Sequence, residues 1–216
     1  NEIRKINTLE YYNWDETYKM IYKIAPNTLV WGIGPSEARW IGNEEGYANK
    51  TNWSLLRQKD DLAGKVHYSE YMSGHEDGEK WVPGETNVSI RPGWFYHAVE
   101  DDKVHTLDEM VDFYYHSIGR NTTFLLNIPP DKRGLIHEND VQRLKEYAAV
   151  IKKDFKKEVL SKTKASASNW RGNSPEYAAA NTIDGNKETY WATDDSVLKA
   201  LILFTFKKPT AFNRVL

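Results

Sequence analysis

The sequence contains no cysteine, so it offers no disulfide bonds, thiolate metal sites or cysteine nucleophiles. It also has no apolar run near the roughly 18 residues that a membrane-spanning helix needs. An excess of charge of one sign is missing too, because 29 basic residues face 31 acidic ones for a formal net charge of -2. Without an overall basic field, binding to nucleic acid is not expected.

Several common catalytic motifs are absent as well. The stretch GIGPSEARW at 32–40 has only two close glycines and no smooth entry into a helix, which argues against a phosphate-binding loop. No G-x-S-x-G elbow occurs. The six histidines show neither HxH nor HExxH spacing, so a histidine-based metal centre is not expected.

Aromatic residues are the abundant component, with 8 tryptophans and 13 tyrosines in 216 residues. A flat ring packs against the C–H face of a sugar while its polar edge forms hydrogen bonds. A surplus of tryptophan outside the core therefore favours, although weakly, a cleft that binds carbohydrate.

Apolar periodicity predicts an α/β protein. Residues at helical spacing predict helices at 14–24, at 107–118 with Thr106 and Glu109 as a capping box, and from about 139 to 160. Short apolar runs predict strands near 28–33, 65–70, 86–90, 94–97 and 122–127. This order indicates a parallel sheet or a barrel, and in a barrel the loops after the strands carry the site.

A composition shift at 161–170, SKTKASASNW, predicts a domain boundary. Beyond it the sequence contains turns and alternating strand-like runs, with no helical pattern. We therefore assign 1–161 to one domain and 162–216 to the start of another. Because the second piece stops within an apolar run at Leu216, we expect the chain to be a fragment.

The long polar loop after the first predicted strand contains RWIGNEEGYANKTNWS at 39–54. Connections in α/β units usually have about 2 to 6 residues, so a loop of this length is either functional or disordered. Glu44 and Glu45 are adjacent here, and Glu44 is flanked by Trp40 and Tyr47. Glycoside hydrolysis uses a carboxylic acid and a second carboxylate, and Glu44 is a candidate for the acid.

Two further clusters are candidates. Residues 79–97 crowd polar and aromatic side chains onto strand ends, although core packing and turns would also explain them: Trp81, Glu85, Ser89, Arg91, Trp94, Tyr96 and His97. The segment NTIDGNKETYW at 181–191 forms an oxygen-rich turn around Asp184. It reads either as a plain Asx turn or as a site for a hard cation such as Ca²⁺.

Three blocks in this order resemble α-L-fucosidases of glycoside hydrolase family 29: YYNWDETYKMIYKIAPNTLVWGIGPSEARWIGNEEGYANKTNWS, WVPGETNVSIRPGWFYH and YYHSIGRNTTFLLNIPPDKRGLI. The resemblance implies the C-terminal half of a (β/α)₈ TIM-like barrel. The RWIGNE form resembles the subgroup that prefers α-1,3- or α-1,4-linked fucose on Lewis-type glycans. In that subgroup the Glu of this motif is the general acid/base, which implies Glu44.

The same resemblance implies the remaining site residues. The aromatic at the position of Trp94 packs on the apolar face of fucose, and Arg39, Trp40, Glu85 and His97 are implied contacts to sugar. Glu45 is expected to be a solvated neighbour, and no cofactor is expected for catalysis.

One departure concerns the nucleophile. The family's nucleophile is an Asp in a W-F-D-G type strand end, and no such motif occurs in these residues. We therefore expect the rest of the barrel to come from the remaining part of the same protein, in one chain or two, and this chain alone to be inactive. The alternative is a lectin-like protein that binds sugar without turnover.

The tail, SASNWRGNSPEYAAANTIDGNKETYWATDD at 166–195, is similar to the opening of discoidin-like (factor V/VIII C-type) domains, among them family-32 carbohydrate-binding modules. These domains are β-sandwiches, and their D-G-N-x-x-T turn commonly holds a structural Ca²⁺. The resemblance implies Asp184, Asn186 and Thr189 as metal ligands. We expect a bacterial protein that is periplasmic or secreted.

Overall fold

A computed structural model describes residues 13–32, 36–57 and 68–212. The chain divides into two compact units, Asn1–Ile151 and Lys152–Leu216. The domain boundary near residue 162 stays a prediction. No helix among the described residues is long and apolar enough to cross a membrane.

The helices are α1 Trp14–Ile24, α2 Tyr68–Ser73, α3 Leu107–His116 and α4 Glu138–Asp154. The three longer ones confirm the predicted helices, and α3 begins at the expected capping box of Thr106 and Glu109. Helix α4 ends earlier than predicted. Its last turn runs into Lys152, Lys153, Lys156 and Lys157, which would stack like charges four residues apart if the helix continued.

The strands of the first unit are β1 Trp31–Gly32, β2 Ala38–Trp40, β3 Leu55–Leu56, β4 Lys80–Trp81, β5 Gly84–Ser89 and β6 Thr122–Asn127. Four of them form a parallel sheet in the order β1-β2-β5-β6, while β3 pairs with β4 antiparallel. The described part of this unit is therefore a mixed α/β fold built on a parallel sheet, as the sequence predicted.

Two predicted strands are corrected. Residues 94–97 are not a strand but part of a loop, because Pro92 and Gly93 turn the chain directly after β5. Residues 68–70 open α2, and the rest of that predicted strand, 65–67, lies outside the described residues. Conversely, one observed strand was not predicted, because β2 lies within the stretch that the sequence predicted to be a loop.

The two faces of the sheet differ in character. One carries Thr86 and Val88 toward the core, which also includes Ile41, Ile90 and Met110. The other carries Trp40 and Glu85, which are register partners on β2 and β5, followed along β5 by Asn87. Because side chains alternate along a strand, this second face collects the polar and aromatic groups.

The second unit contains β7 Lys164–Ala167 and β8 Ile202–Thr205, which pair antiparallel. The chain between them forms short 3₁₀ turns: Arg171–Asn173, Pro175–Tyr177 and Ala179–Ile183. Trp191 donates from Nε1 to the carbonyl of Asn169 at 2.9 Å and so ties two of these loops together.

Candidate active site

Two predicted site residues and one further polar residue lie at or beyond the carboxyl ends of neighbouring parallel strands. Glu44 comes four residues after β2, Trp94 comes five residues after β5, and Asn127 is the last residue of β6. The carboxyl ends of parallel strands meet at one edge of a sheet. The loops from three strands can therefore combine there into one site.

The structure joins Glu44 and Trp94 directly. The indole N–H of Trp94 donates to Oε2 of Glu44 at 2.8 Å, although the two residues are 50 positions apart in the chain. A hydrogen bond from a fixed donor orients the carboxylate. The contact places an aromatic face and a carboxyl group side by side at the strand ends.

The backbone of Trp94 is held in turn by the two strand ends. Asn127 donates from Nδ2 to the carbonyl of Trp94 at 3.1 Å and to Oγ of Ser89 at 3.0 Å. Ser89 donates its hydroxyl to the carbonyl of Gly93 at 2.6 Å. Asn127 was not among the predicted site residues. A polar side chain at the end of a predicted buried strand could have indicated that it belongs to the site.

The loop that carries Glu44 is fastened to the core. The N–H of Gly46 donates to the carbonyl of Asn87 at 3.0 Å, and Gly46 has a φ of 76°. A Cβ there would lie 3.0 Å from Cδ1 of Phe113 and 3.1 Å from Cγ1 of Val88. Only glycine combines that backbone conformation with so close an approach, so this part of the loop is ordered.

Trp40 occupies the same face of the sheet as Glu85. Its indole N–H lies 3.2 Å from the carbonyl of Asn43 and 3.1 Å from Oδ1 of Asn87, so the donor is shared between the two. These bonds fix the half-buried ring at the base of the Glu44 loop.

Glu85 has an unusual environment. Burial raises the pKa of its carboxyl group, and a hydrogen bond from the side chain of Trp31 opposes the shift. Within the part of the chain that the structure describes, Oε1 of Glu85 is buried and has no hydrogen-bond partner. A half-buried carboxyl group with an unused oxygen is suited to accept a hydrogen bond from a bound hydroxyl group.

Arg39 lies elsewhere. It is completely buried, and its guanidinium donates to the carbonyls of Tyr71 at 2.8 Å, of Trp53 at 2.8 Å and of Val82, and to Oδ1 of Asn52 at 2.9 Å. Burial lowers its pKa to about 10, so it stays charged at neutral pH. This placement disfavours direct contact with a sugar, because Arg39 and its neighbour Trp40 point to opposite faces of β2.

Comparison with known proteins decides the family. A sequence model of the α-L-fucosidase family matches residues 35–155, which include the loops of Glu44 and Trp94. The chain belongs to the α-L-fucosidase family.

Individual relatives agree with this assignment. Alpha-L-fucosidase 1 of Arabidopsis thaliana is 34% identical over 206 residues, which are 95% of this chain and 40% of the relative. A solved glycoside hydrolase 29 family member from an unknown rumen bacterium is 46% identical, with a TM-score of 0.69 over 77% of this chain and 30% of that one. A GH29 fucosidase from Ruminococcus gnavus, solved in complex with fucose, is 32% identical, with a TM-score of 0.74 over 89% and 40%. This fucosidase-family chain thus spans two fifths or less of these relatives.

Two other residues considered in the sequence analysis of this fucosidase-family chain are close in sequence to Trp94 and Glu44. His97 is exposed, three residues beyond Trp94 in the same loop. Glu45 is exposed, and its backbone N–H donates to Oδ1 of Asn43 at 3.0 Å. That bond closes a tight turn whose side chain at position 45 faces solvent.

The predicted calcium ligands are in the second unit. Asp184 accepts the N–H of Asn186 at 2.8 Å and the hydroxyl of Thr189 at 2.7 Å, and both bonds lower the pKa of its carboxyl group. The segment is therefore an Asx turn that is stabilised by hydrogen bonds between its own residues. No cluster of three or more His, Cys, Asp or Glu side chains able to hold a metal occurs in the described ranges. Calcium stays a prediction.

Proposed function

We propose that this chain is part of a retaining exo-α-L-fucosidase that removes terminal α-1,3- or α-1,4-linked fucose from Lewis-type glycans. The single observation that carries the proposal is the contact between Glu44 and Trp94, since it pairs a carboxyl group with the ring expected to hold fucose. Membership of the fucosidase family and a relative solved with fucose support the same reaction.

In this proposal Glu44 is the general acid/base. An Asp outside these residues attacks the anomeric carbon while Glu44 protonates the departing glycosidic oxygen, so the C–O bond breaks and a fucosyl-enzyme forms. Glu44 then removes a proton from water, which attacks the same carbon and frees the Asp. Because Trp94 donates to Oε2, Oε1 can carry the transferred proton.

The sheet face beside Glu44 is suited to bind the sugar. The ring of Trp94 packs on the apolar face of fucose, Trp40 extends the aromatic wall, and Glu85 offers its unused oxygen to a hydroxyl group. His97, in the same loop as Trp94, is a further proposed contact to the sugar. Arg39 acts from the core by fixing residues 52–53 of the Glu44 loop.

The wider architecture is part of the proposal. We infer that the parallel sheet is the C-terminal half of a (β/α)₈ barrel, and that its face with Glu85 is the barrel interior. Thr123 and Leu125 on the same face are exposed among the described residues, which fits a surface that the remaining strands would cover. The second unit would begin a discoidin-like β-sandwich, in which the hard oxygen donors of Asp184, Asn186 and Thr189 fit Ca²⁺ chemically. Export to the periplasm or medium belongs to the same proposal.

The test is hydrolysis of a Lewis-type trisaccharide by the full-length protein, in wild type and Glu44→Gln. We expect Glu44→Gln to lower kcat by roughly 10² to 10⁴-fold, the usual contribution of general acid/base catalysis. Glu45→Gln is the matched control, since its side chain is equally exposed and one position away. Wild-type turnover in Glu44→Gln would disprove the assignment.

The same experiment separates the lectin-like alternative. That alternative shares the proposed sugar-binding residues with the hydrolase and differs in predicting binding without turnover. If the full-length wild type bound the trisaccharide in calorimetry but released no fucose, the lectin-like function would replace the hydrolase.

A further inference from the structure

A buried ion pair lies beneath the loop that carries Trp94. Arg91 comes two residues after β5 and is inaccessible to solvent, as is Asp140 in the first turn of α4. The Nε–H of Arg91 lies between both carboxylate oxygens of Asp140, at 3.0 and 2.9 Å. The pair thus connects the end of a sheet strand to the start of a helix.

The same guanidinium also reaches the far end of the loop. Its Nη1 donates to Oδ1 of Asp101 at 2.9 Å, and its Cζ lies 5.0 Å from the ring centre of Tyr96. The hydroxyl of Tyr96 donates to the other carboxylate oxygen of Asp101 at 3.3 Å. Asn139, beside Asp140, donates to the carbonyl of Asp101 at 2.8 Å. The side chain of Arg91 therefore contacts both the middle and the end of the segment 91–101.

Stability alone does not account for this arrangement. Removing two charges from water is unfavourable, and their attraction in the interior offsets that loss only in part. In other proteins, apolar side chains of similar volume in place of a buried ion pair are often neutral or stabilising. A planar guanidinium that forms several hydrogen bonds instead fixes the relative positions of the groups it contacts.

That geometry complements the bonds described above. In the loop after Arg91, the side chains of Ser89 and Asn127 bond to the carbonyls of Gly93 and Trp94. Tyr96, two residues further on, is held from the side of Arg91 and Asp101. The loop is therefore fixed from two sides, by the strand ends and by the ion pair.

We propose that Arg91 and Asp140 are positioning residues that hold the loop 92–97 so that Trp94 meets Glu44. The inference rests on the proposed fucosidase function. Neither residue contacts the substrate: Arg91 acts through Tyr96 and Asp101, and Asp140 acts through Arg91.

The test uses the full-length protein with the double substitution Arg91→Met and Asp140→Leu, which removes both charges and keeps an apolar filling. We expect a melting temperature close to that of wild type, because Asp101 is partly exposed and keeps the hydrogen bond from Tyr96. We expect kcat on the Lewis-type trisaccharide to fall roughly 10- to 100-fold, since small displacements of reacting groups have effects of that size. The control replaces an ion pair that lies entirely within α4, Arg143→Met with Glu146→Leu, and should keep wild-type kcat.

A second readout does not depend on turnover. Hydrogen exchange of the amides at 93–101 should be faster in the double variant than in wild type, and unchanged in the control. A folded double variant with wild-type kcat and wild-type exchange would overturn the proposal. If wild type itself released no fucose, the fucosidase proposal would fail, while the exchange rates would still decide whether the pair positions the loop.

A conservative variant covers the case in which the double variant does not fold. Arg91→Lys keeps the positive charge beside Asp140 but loses the planar group that bonds Asp140 and Asp101 from two nitrogens and packs on Tyr96. We expect it to fold, with an intermediate loss of kcat and intermediate exchange rates. Full activity with wild-type exchange in Arg91→Lys would contradict the proposal.

Discussion

At the scale of single residues, Trp94 combines two functions in one side chain. Its ring offers an apolar face, and its indole N–H orients the carboxylate of Glu44. These functions are separable, because phenylalanine keeps most of the ring and removes the donor.

We expect Trp94→Phe to slow hydrolysis of a Lewis-type trisaccharide about tenfold, since a lost hydrogen bond to a charged group is worth about 1.5 kcal/mol or more. An aryl fucoside with an acidic leaving group needs little protonation, so its hydrolysis should change less. The ratio of the two kcat/KM values measures the effect. Trp94→Ala is the comparison and should impair both substrates. An equal loss on both substrates in Trp94→Phe would show that only the ring matters.

The same scale shows what the sequence could identify. Glu44 could be identified as a candidate because it lies in a local motif that resembles a known family. Its hydrogen bond to Trp94 could not be predicted, since 50 residues separate the two in the chain. Arg39 was nominated as a sugar contact from the same motif. The alternation of side chains along β2 would have placed it opposite Trp40, but β2 was not predicted.

At the scale of elements, the loop from β6 to α4 is organised by one carboxylate. Asp131 accepts from the backbone N–H of Arg133 at 2.7 Å and from its guanidinium at 2.9 and 2.6 Å, and the same guanidinium reaches Glu138 at 2.8 Å. The hydrogen bonds from the Arg133 side chain are the main cause that lowers the pKa of Asp131, to about 2. The loop is thereby tied to the first turn of α4.

This shift predicts a pH dependence. Because the pKa of Asp131 is lower in the folded state than its unfolded value of about 3.9, its stabilisation is complete above that value and is lost as pH falls toward 2. We expect Asp131→Asn to lower the free energy of unfolding at pH 7 and to flatten its decline between about pH 4 and 2. Urea unfolding across that range measures both.

Asp102→Asn is the control for that experiment, because Asp102 is exposed. It should follow the wild-type curve. If Asp131→Asn declined with pH as steeply as wild type, the ionised carboxylate would not be what organises the loop.

Element prediction from sequence succeeded where the pattern was long. Helices α1, α3 and α4 each present several turns of periodic apolar residues, and α3 adds a capping box. Strands of two or three residues, such as β2 and β3, show no periodicity to detect. Residues 94–97 resemble a strand by composition, but the turn at Pro92 and Gly93 and the bonds from Asn127 determine their path.

At the scale of the whole molecule, the predicted Ca²⁺ site around Asp184 can be tested through thermal stability. If it holds Ca²⁺, EDTA should lower the melting temperature of the full-length protein, because a ligand that binds the folded state alone stabilises it. Adding Ca²⁺ back should restore the value. Asp184→Asn should show the lower temperature with or without EDTA, and Glu176→Gln, an exposed substitution in the same unit, should respond as wild type.

An unchanged melting temperature in EDTA would indicate an ordinary Asx turn, which its internal hydrogen bonds already allow.

Membership of the family could be predicted from the sequence because three separated blocks resemble one family in the right order. Barrel closure and the β-sandwich were not derivable from the described residues, since the chain spans 40% of its relative from Arabidopsis thaliana.

Gly46 has a consequence for engineering. Its positive φ and its close approach to Phe113 and Val88 disfavour any side chain at this position, so the backbone of the loop is constrained there. Residues 49–51 lie beyond Gly46 and are exposed, while Glu44 lies before it. Libraries that vary 49–51 could therefore alter the outer surface of the loop without displacing the carboxylate, whereas insertions between 44 and 46 would move it.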